Sequence, residues 1–85
     1  MRCDHDLCAM IRSGEAARLR LHAGISQETM AAGLGIARPT FSRLECGRQR
    51  PHLALAGRYM RVLRGLANHE AGSRAVADAW ARMAG

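Results

Sequence analysis

The chain has 85 residues, 48% hydrophobic but only 4% aromatic, which allows one small domain with an aliphatic core and favours packed helices over sheets. All thirteen basic residues are Arg against seven acids, a net charge of +6, and residues 16–65 alone hold nine Arg against two Glu. This concentrated basic field favours a polyanion, either nucleic acid or an acidic membrane surface, over a plain soluble surface, and no apolar run approaches the length of about 20 residues that a membrane span needs.

Apolar residues recur at intervals of three and four almost throughout, and strict alternation never persists, so every element is expected to be helical. Leu7, Met10, Ile11, Ala17 and Leu21 can share one face of a first helix, with Asp4 or Asp6 as its cap. Gly14 interrupts that face and Ser13 can cap a fresh start, so this is one kinked helix over about 6–23 or a short turn followed by 14–23. Gly24 ends it as a residue just past a helix C-terminus does. Ser26 then caps a second helix of about 27–33, with Thr29 in its first turn and Met30, Ala31 and Leu34 as the buried stripe. Gly33 and Gly35 bracket its end.

A third helix over about 38–45 follows closely, with Phe41 and Leu44 inward, Ile36 just ahead and Gly47 as the stop. Its start lacks a good cap, because Ala37 stands where Ser or Thr serves best. Pro39 softens that defect, since a first-turn residue has no intrahelical N–H bond to lose and the ring presets φ. The loop through Pro51 leads to a fourth helix of about 53–64, with Leu53, Ala56, Tyr59, Met60 and Leu63 inside and Arg58, Arg61 and Arg64 outside. Gly65 and Asn68 punctuate a turn, and a last helix over about 70–83 carries Val76, Ala79, Trp80 and Met83 on one stripe. Val76, Trp80 and Met83 are read either as core packing or as a dimer seam.

Two short helices joined by a tight Gly-containing turn form a helix-turn-helix, in which one helix braces a second whose N-terminal residues reach base edges in the major groove. The stretch from Gly14 to Leu63, GEAARLRLHAGISQETMAAGLGIARPTFSRLECGRQRP and onward, resembles the Cro/repressor-type helix-turn-helix family, also called Xre-like. The resemblance rests on Ser26–Gln27, Ala31, Leu34, Gly35, Ile36, Ser42–Gly47 and Pro51, all at the family's spacing. It implies a compact, all-α, five-helix lambda-repressor-like DNA-binding domain with its helix-turn-helix at the second and third helices. Residues 14–66 would be that domain, 1–13 an extension that can continue the first helix, and 67–85 a C-terminal helix for packing or dimerisation. Arg64 departs from the pattern, standing where relatives often have the glycine that ends the fourth helix.

Carried over by position, the resemblance implies that Arg38, Pro39, Thr40 and Arg43 face the groove. It implies phosphate contacts from Gln27, Ser26, Arg48 and Arg50, with Ser42 a lesser candidate, and a buried salt bridge between Arg20 and Glu45. The chemistry agrees. Arg donates bidentately to guanine O6 and N7, Thr can bond a base or touch a thymine methyl, and a helix start favours phosphate. The implied partners are double-stranded DNA with a palindromic operator and a second copy of the chain, without a membrane or a cofactor.

Other signals point to less. Cys3, His5, Cys8 and His22 lack the second cysteine pair of a structural zinc knuckle, so no metal is expected. Cys46 is read as a small filler or, if exposed, an oxidant sensor. Three cysteines without a disulfide framework and a polar start without a secretory signal predict a reducing cytoplasm. No nucleophile elbow, phosphate-cradling loop or paired carboxylates appears, so no catalytic residue and no enzyme activity are expected. The rivals to an operator-binding regulator are a protein-interaction module or antitoxin-type adaptor on the same fold, and charge-driven nonspecific binding of nucleic acid.

Overall fold

The structure, a computed structural model, describes residues 3–84 and, within them, the side chains of residues 6–72, 76 and 78–83. The chain is all-α: α1 is Cys3–Ser13, α2 Glu15–His22, α3 Gln27–Leu34, α4 Arg38–Glu45 and α5 Leu53–Ala84. The predicted helix-turn-helix is α3–α4. No strand occurs among the described residues.

The break between α1 and α2 is at Gly14, whose φ of +85° lies in the left-handed region that costs glycine little. Ser13 does capping work on both sides of that break. Its Oγ accepts from the Glu15 N–H at 3.3 Å and donates to the Met10 carbonyl at 3.2 Å. Asp6 falls inside α1 rather than at its start, so it caps nothing. The side chain of Asp4, the other expected cap, lies outside the described residues. Because Gly14 resets the register, the buried face of α2 is Ala16, Leu19 and Arg20, whereas Leu21, expected inside, is 64% exposed.

Beyond Gly24, α3 begins on Ser26, whose Oγ accepts from the Thr29 N–H at 3.0 Å. Such a cap stabilises a helix by about 1 kcal/mol. Gly35 closes α3 with φ +74°, and the Ile36 N–H reaches back to the Ala31 carbonyl at 3.0 Å. One extended residue, Ala37, then starts α4 without a side-chain cap, and Pro39 occupies the first turn. An eight-residue helix is too short to persist alone, so α4 is held by what it buries. Phe41 and Leu44 are fully buried, and the Phe41 ring meets Tyr59 edge-on at 5.6 Å.

The largest departure from expectation is α5, a single 32-residue helix that passes through Gly65 and Asn68 without the predicted turn. A mid-helix glycine costs about 1 kcal/mol, which packing on both sides offsets. Val62, Leu63, Leu66 and Ala67 continue the core-facing stripe across Gly65. Glu70 then accepts from Arg18 at 2.8 and 3.0 Å, tying the next turn to α2. Leu53 lies outside that stripe at 62% exposure, and Leu55 takes its place in the core. The helix starts on His52, whose Nδ1 accepts from the Leu55 N–H at 3.2 Å. The core runs from Leu7 of α1 through Leu19, Met30, Leu34, Phe41 and Leu44 to Tyr59 and Leu63 of α5.

Candidate nucleic-acid interface

Helical spacing divides α4 into two faces. Phe41 and Leu44 point into the core, and Glu45 lies along the same side. Pro39 and Arg43 centre the opposite face, flanked by Arg38, Thr40 and Ser42. Arg38, Pro39 and Arg43 are exposed, and Thr40 and Ser42 half-buried. The four predicted groove-side residues of α4, and the phosphate candidate Ser42, therefore lie away from the fully buried Phe41 and Leu44.

A buried brace beneath that surface fixes where α4 stands. Arg20 of α2 grips Glu45 with two hydrogen bonds, Nε to Oε2 at 2.6 Å and Nη2 to Oε1 at 3.0 Å, with both side chains less than a tenth exposed. Its remaining arm, Nη1, donates to the Ile25 carbonyl at 2.8 Å in the turn before α3. The hydrogen bonds to Glu45 hold the Arg20 pKa above its ordinary value against the cost of burial. Gln27 joins the same carboxylate, Nε2 to Oε1 at 2.9 Å. One acid at the end of α4 thus collects α2, the turn and the start of α3. Below it the Tyr59 hydroxyl is buried with no hydrogen-bond partner among the described residues, and burial pushes its pKa up, so the phenol stays neutral.

The predicted phosphate-side residues are less uniform. Arg48 and Arg50 are exposed in the loop after α4. Gln27 has one amide N–H committed to Glu45 and one left to offer. The Ser26 hydroxyl is occupied by Thr29, accepting from its N–H and donating to its Oγ1, both at 3.0 Å, so its role here is the cap.

Several contacts had no prediction behind them. Arg43 donates from Nε to Gln49 Oε1 at 2.9 Å, and its Nη2 lies 3.5 Å from Thr40 Oγ1. Arg58 of α5 reaches the Leu34 carbonyl at 3.4 Å, meeting the end of α3. Arg18 bridges Glu15 and Glu70, and its pKa rises through hydrogen bonds to Glu15 first and Glu70 second. Hydrogen bonding from Arg18 also holds the Glu15 carboxyl below its ordinary range. Glu70 carried a readable signal, an acid seven residues after Leu63 on a core-facing stripe, where an acid needs a partner. Gln49 carried none.

The remaining candidates separate cleanly. Val76, Trp80 and Met83 are 59%, 67% and 79% exposed, so the core reading of that stripe falls and the surface reading is left. Cys8 and Cys46 are free thiols that line one open cleft with Arg12 and Arg50. Cys46 is exposed and its Sγ lies 3.7 Å from the Arg43 carbonyl. The side chains of Cys3 and His5 lie outside the described residues, and no cluster of three or more metal-ligating side chains occurs among those described. No described helix is long and apolar enough to cross a membrane.

A braced pair of short helices that leaves a basic helix tip exposed is the arrangement of a DNA-binding helix-turn-helix protein. The model of the helix-turn-helix domain family matches residues 13–71, most of the chain, and the chain belongs to that family. No curated protein and no solved structure matches it.

Proposed function

We propose that the chain is a Cro/repressor-type, Xre-like transcriptional regulator of phage or bacterial origin, which binds a palindromic operator as a homodimer and represses from it. The observation that carries this reading is the α4 tip. Arg38, Pro39, Thr40 and Arg43 stand together on the free face of a helix whose other face is locked in the core and whose end is held by the Arg20–Glu45–Gln27 brace. A fixed helix tip can hold donors against base edges, whereas charge on a mobile surface binds any sequence. Arg38 and Arg43 would read bases, with Pro39 and Thr40 beside them. Arg48, Arg50, Ser42 and the second N–H of Gln27 would hold phosphates. Ser26 would add a phosphate contact by giving up its bond to the Thr29 hydroxyl.

The second copy would pair through the distal part of α5. Val76, Trp80 and Met83 recur at helical spacing on one exposed stripe, and such a stripe is characteristic of a partner surface. Two heads joined there would meet two half-sites of a palindrome. The same stripe supports a second reading, a protein-interaction module or antitoxin-type adaptor in which DNA binding is secondary.

Selection from random duplexes by the full chain, followed by titration at several salt concentrations, separates these readings. A regulator enriches one palindromic site and prefers it by about 10³-fold or more over random DNA. Binding that tracks only charge and salt, with no enriched site, overturns the proposal.

A further inference from the structure

A guanidinium can meet a base or a phosphate by either of two edges. Nε–H with one N–H of Nη2 forms the side edge, and Nη1 with Nη2 forms the end edge. In Arg43 the side edge is taken up by the chain itself at the surface, by Gln49 Oε1 on Nε at 2.9 Å and by Thr40 Oγ1 near Nη2 at 3.5 Å. Arginine carries no acceptor, so Gln49 must present its amide oxygen here, and its own N–H groups turn elsewhere.

The loop that carries Gln49 is itself well seated. Gly47 takes a left-handed φ of +79°, which folds the chain back along α4. The Arg48 N–H then donates to the Arg43 carbonyl at 2.9 Å, and the Gly47 N–H to the Leu44 carbonyl at 3.2 Å. A Cβ added at Gly47 would come 3.7 Å from Ile11 of α1, so the turn passes close to that helix. Gln49 is thus delivered to Arg43 by a turn hydrogen-bonded to the last turn of α4, from outside the reading helix.

We propose that Gln49 is a specificity-determining residue of the DNA interface, selecting the end edge of Arg43 for base reading. The proposal rests on α4 being the reading helix. With Nε occupied, the parallel donors of Nη1 and Nη2 are the pair left for guanine O6 and N7. The side chain is also ordered before DNA arrives, so less rotamer freedom is lost on binding. Without Gln49, Arg43 swings between edges and can exchange a base for a neighbouring phosphate. Affinity then survives while discrimination falls. In the free protein this exposed hydrogen bond is modest, and it strengthens as the closing interface excludes water.

The test measures binding of the full chain to its selected site and to the three alternatives at the base pair whose preference Arg43→Ala abolishes. Gln49→Met keeps the length and removes the acceptor; Gln49→Glu keeps an acceptor. We expect Gln49→Met to lower discrimination at that pair about tenfold and to leave the other positions unchanged. Gln49→Glu should retain discrimination there while weakening every sequence through its charge. Arg43→Ala combined with Gln49→Met should lose no more discrimination than Arg43→Ala alone. Full discrimination in Gln49→Met, or an equal loss on every sequence, overturns the role of Gln49 while leaving α4 as the reading helix. If the native chain has no preferred site, or Arg43→Ala alters no preference, the reading of α4 fails first and the role of Gln49 falls with it.

Discussion

Two helices of this chain expose much of their surface, and they do so for opposite reasons. The eight-residue α4 exists because Phe41 and Leu44 are buried and Glu45 is gripped from α2 and α3, and what it exposes is charged. Beyond Glu70, α5 continues by propagation from a helix already formed, with Ala recurring along it, and beside the exposed Asp78 and Arg82 it carries the exposed apolar residues Val76, Trp80 and Met83. The first is a finished surface on a rigid base. The second is a helix whose stripe lies more than half exposed among the described residues. On the function proposed above, a side chain exposed at α4 would serve a polyanion, and one exposed at Trp80 would meet another apolar face.

The sharpest way to break this contrast is to truncate one aromatic ring in each region. Phe41→Ala should cost about 3–5 kcal/mol of folding stability, as large-to-small changes in closed cores do. Trp80→Ala, measured under conditions where the chain is monomeric, should change stability by less than about 0.5 kcal/mol. Urea unfolding of both variants decides it; comparable losses would mean that Trp80 is packed after all. Next in size is Glu45→Ala, which leaves the Arg20 guanidinium buried without its carboxylate and should cost about 3 kcal/mol. It should also weaken DNA binding at concentrations where the variant is still folded, because the brace under α4 is gone.

At the other end of the molecule, Trp80→Arg should reduce the mass seen by light scattering from two chains to one while leaving the helical circular dichroism in place. An unchanged dimer would move the pairing surface away from distal α5. The smallest effect concerns Glu15. Its carboxyl is held below the ordinary value of 4.5, mainly by the hydrogen bond from Arg18. A folded-state pKa lowered in this way adds stability that is complete above the ordinary value and is lost as the pH falls through the folded one. Glu15→Gln should therefore flatten the acid side of the stability curve slightly and leave neutral pH nearly unchanged. A variant as steep as the native chain there would show that the pair contributes nothing.

Local chemistry made much of the fold legible. Ser26 as a cap, the glycines at 24, 35 and 47, the inward pair Phe41 and Leu44, and Pro39 in the first turn of α4 are all decided by residues within a turn of one another. What the sequence hid depends on distant partners. Gly65 and Asn68 look like a turn until Glu70 is seen held by Arg18, fifty-two residues earlier in the chain. Leu21 looks inward until Gly14 is seen to break the register of the first face. At the candidate site the exposed arginines stood out as charge. Gln49 did not, because a lone glutamine in a loop has no pattern until the turn at Gly47 brings it to Arg43.

On the proposed function, the α4 tip reads base sequence and is more than a concentration of charge. This is tested most directly by comparing Arg43→Ala with Arg48→Ala, position by position across the selected site and over a range of salt. Arg43→Ala should cost about 1–3 kcal/mol and relax preference at one base pair per half-site. Arg48→Ala should weaken all sequences about equally and reduce the salt slope by about one. If both variants weaken every sequence alike and leave site preference intact, α4 does not read the DNA.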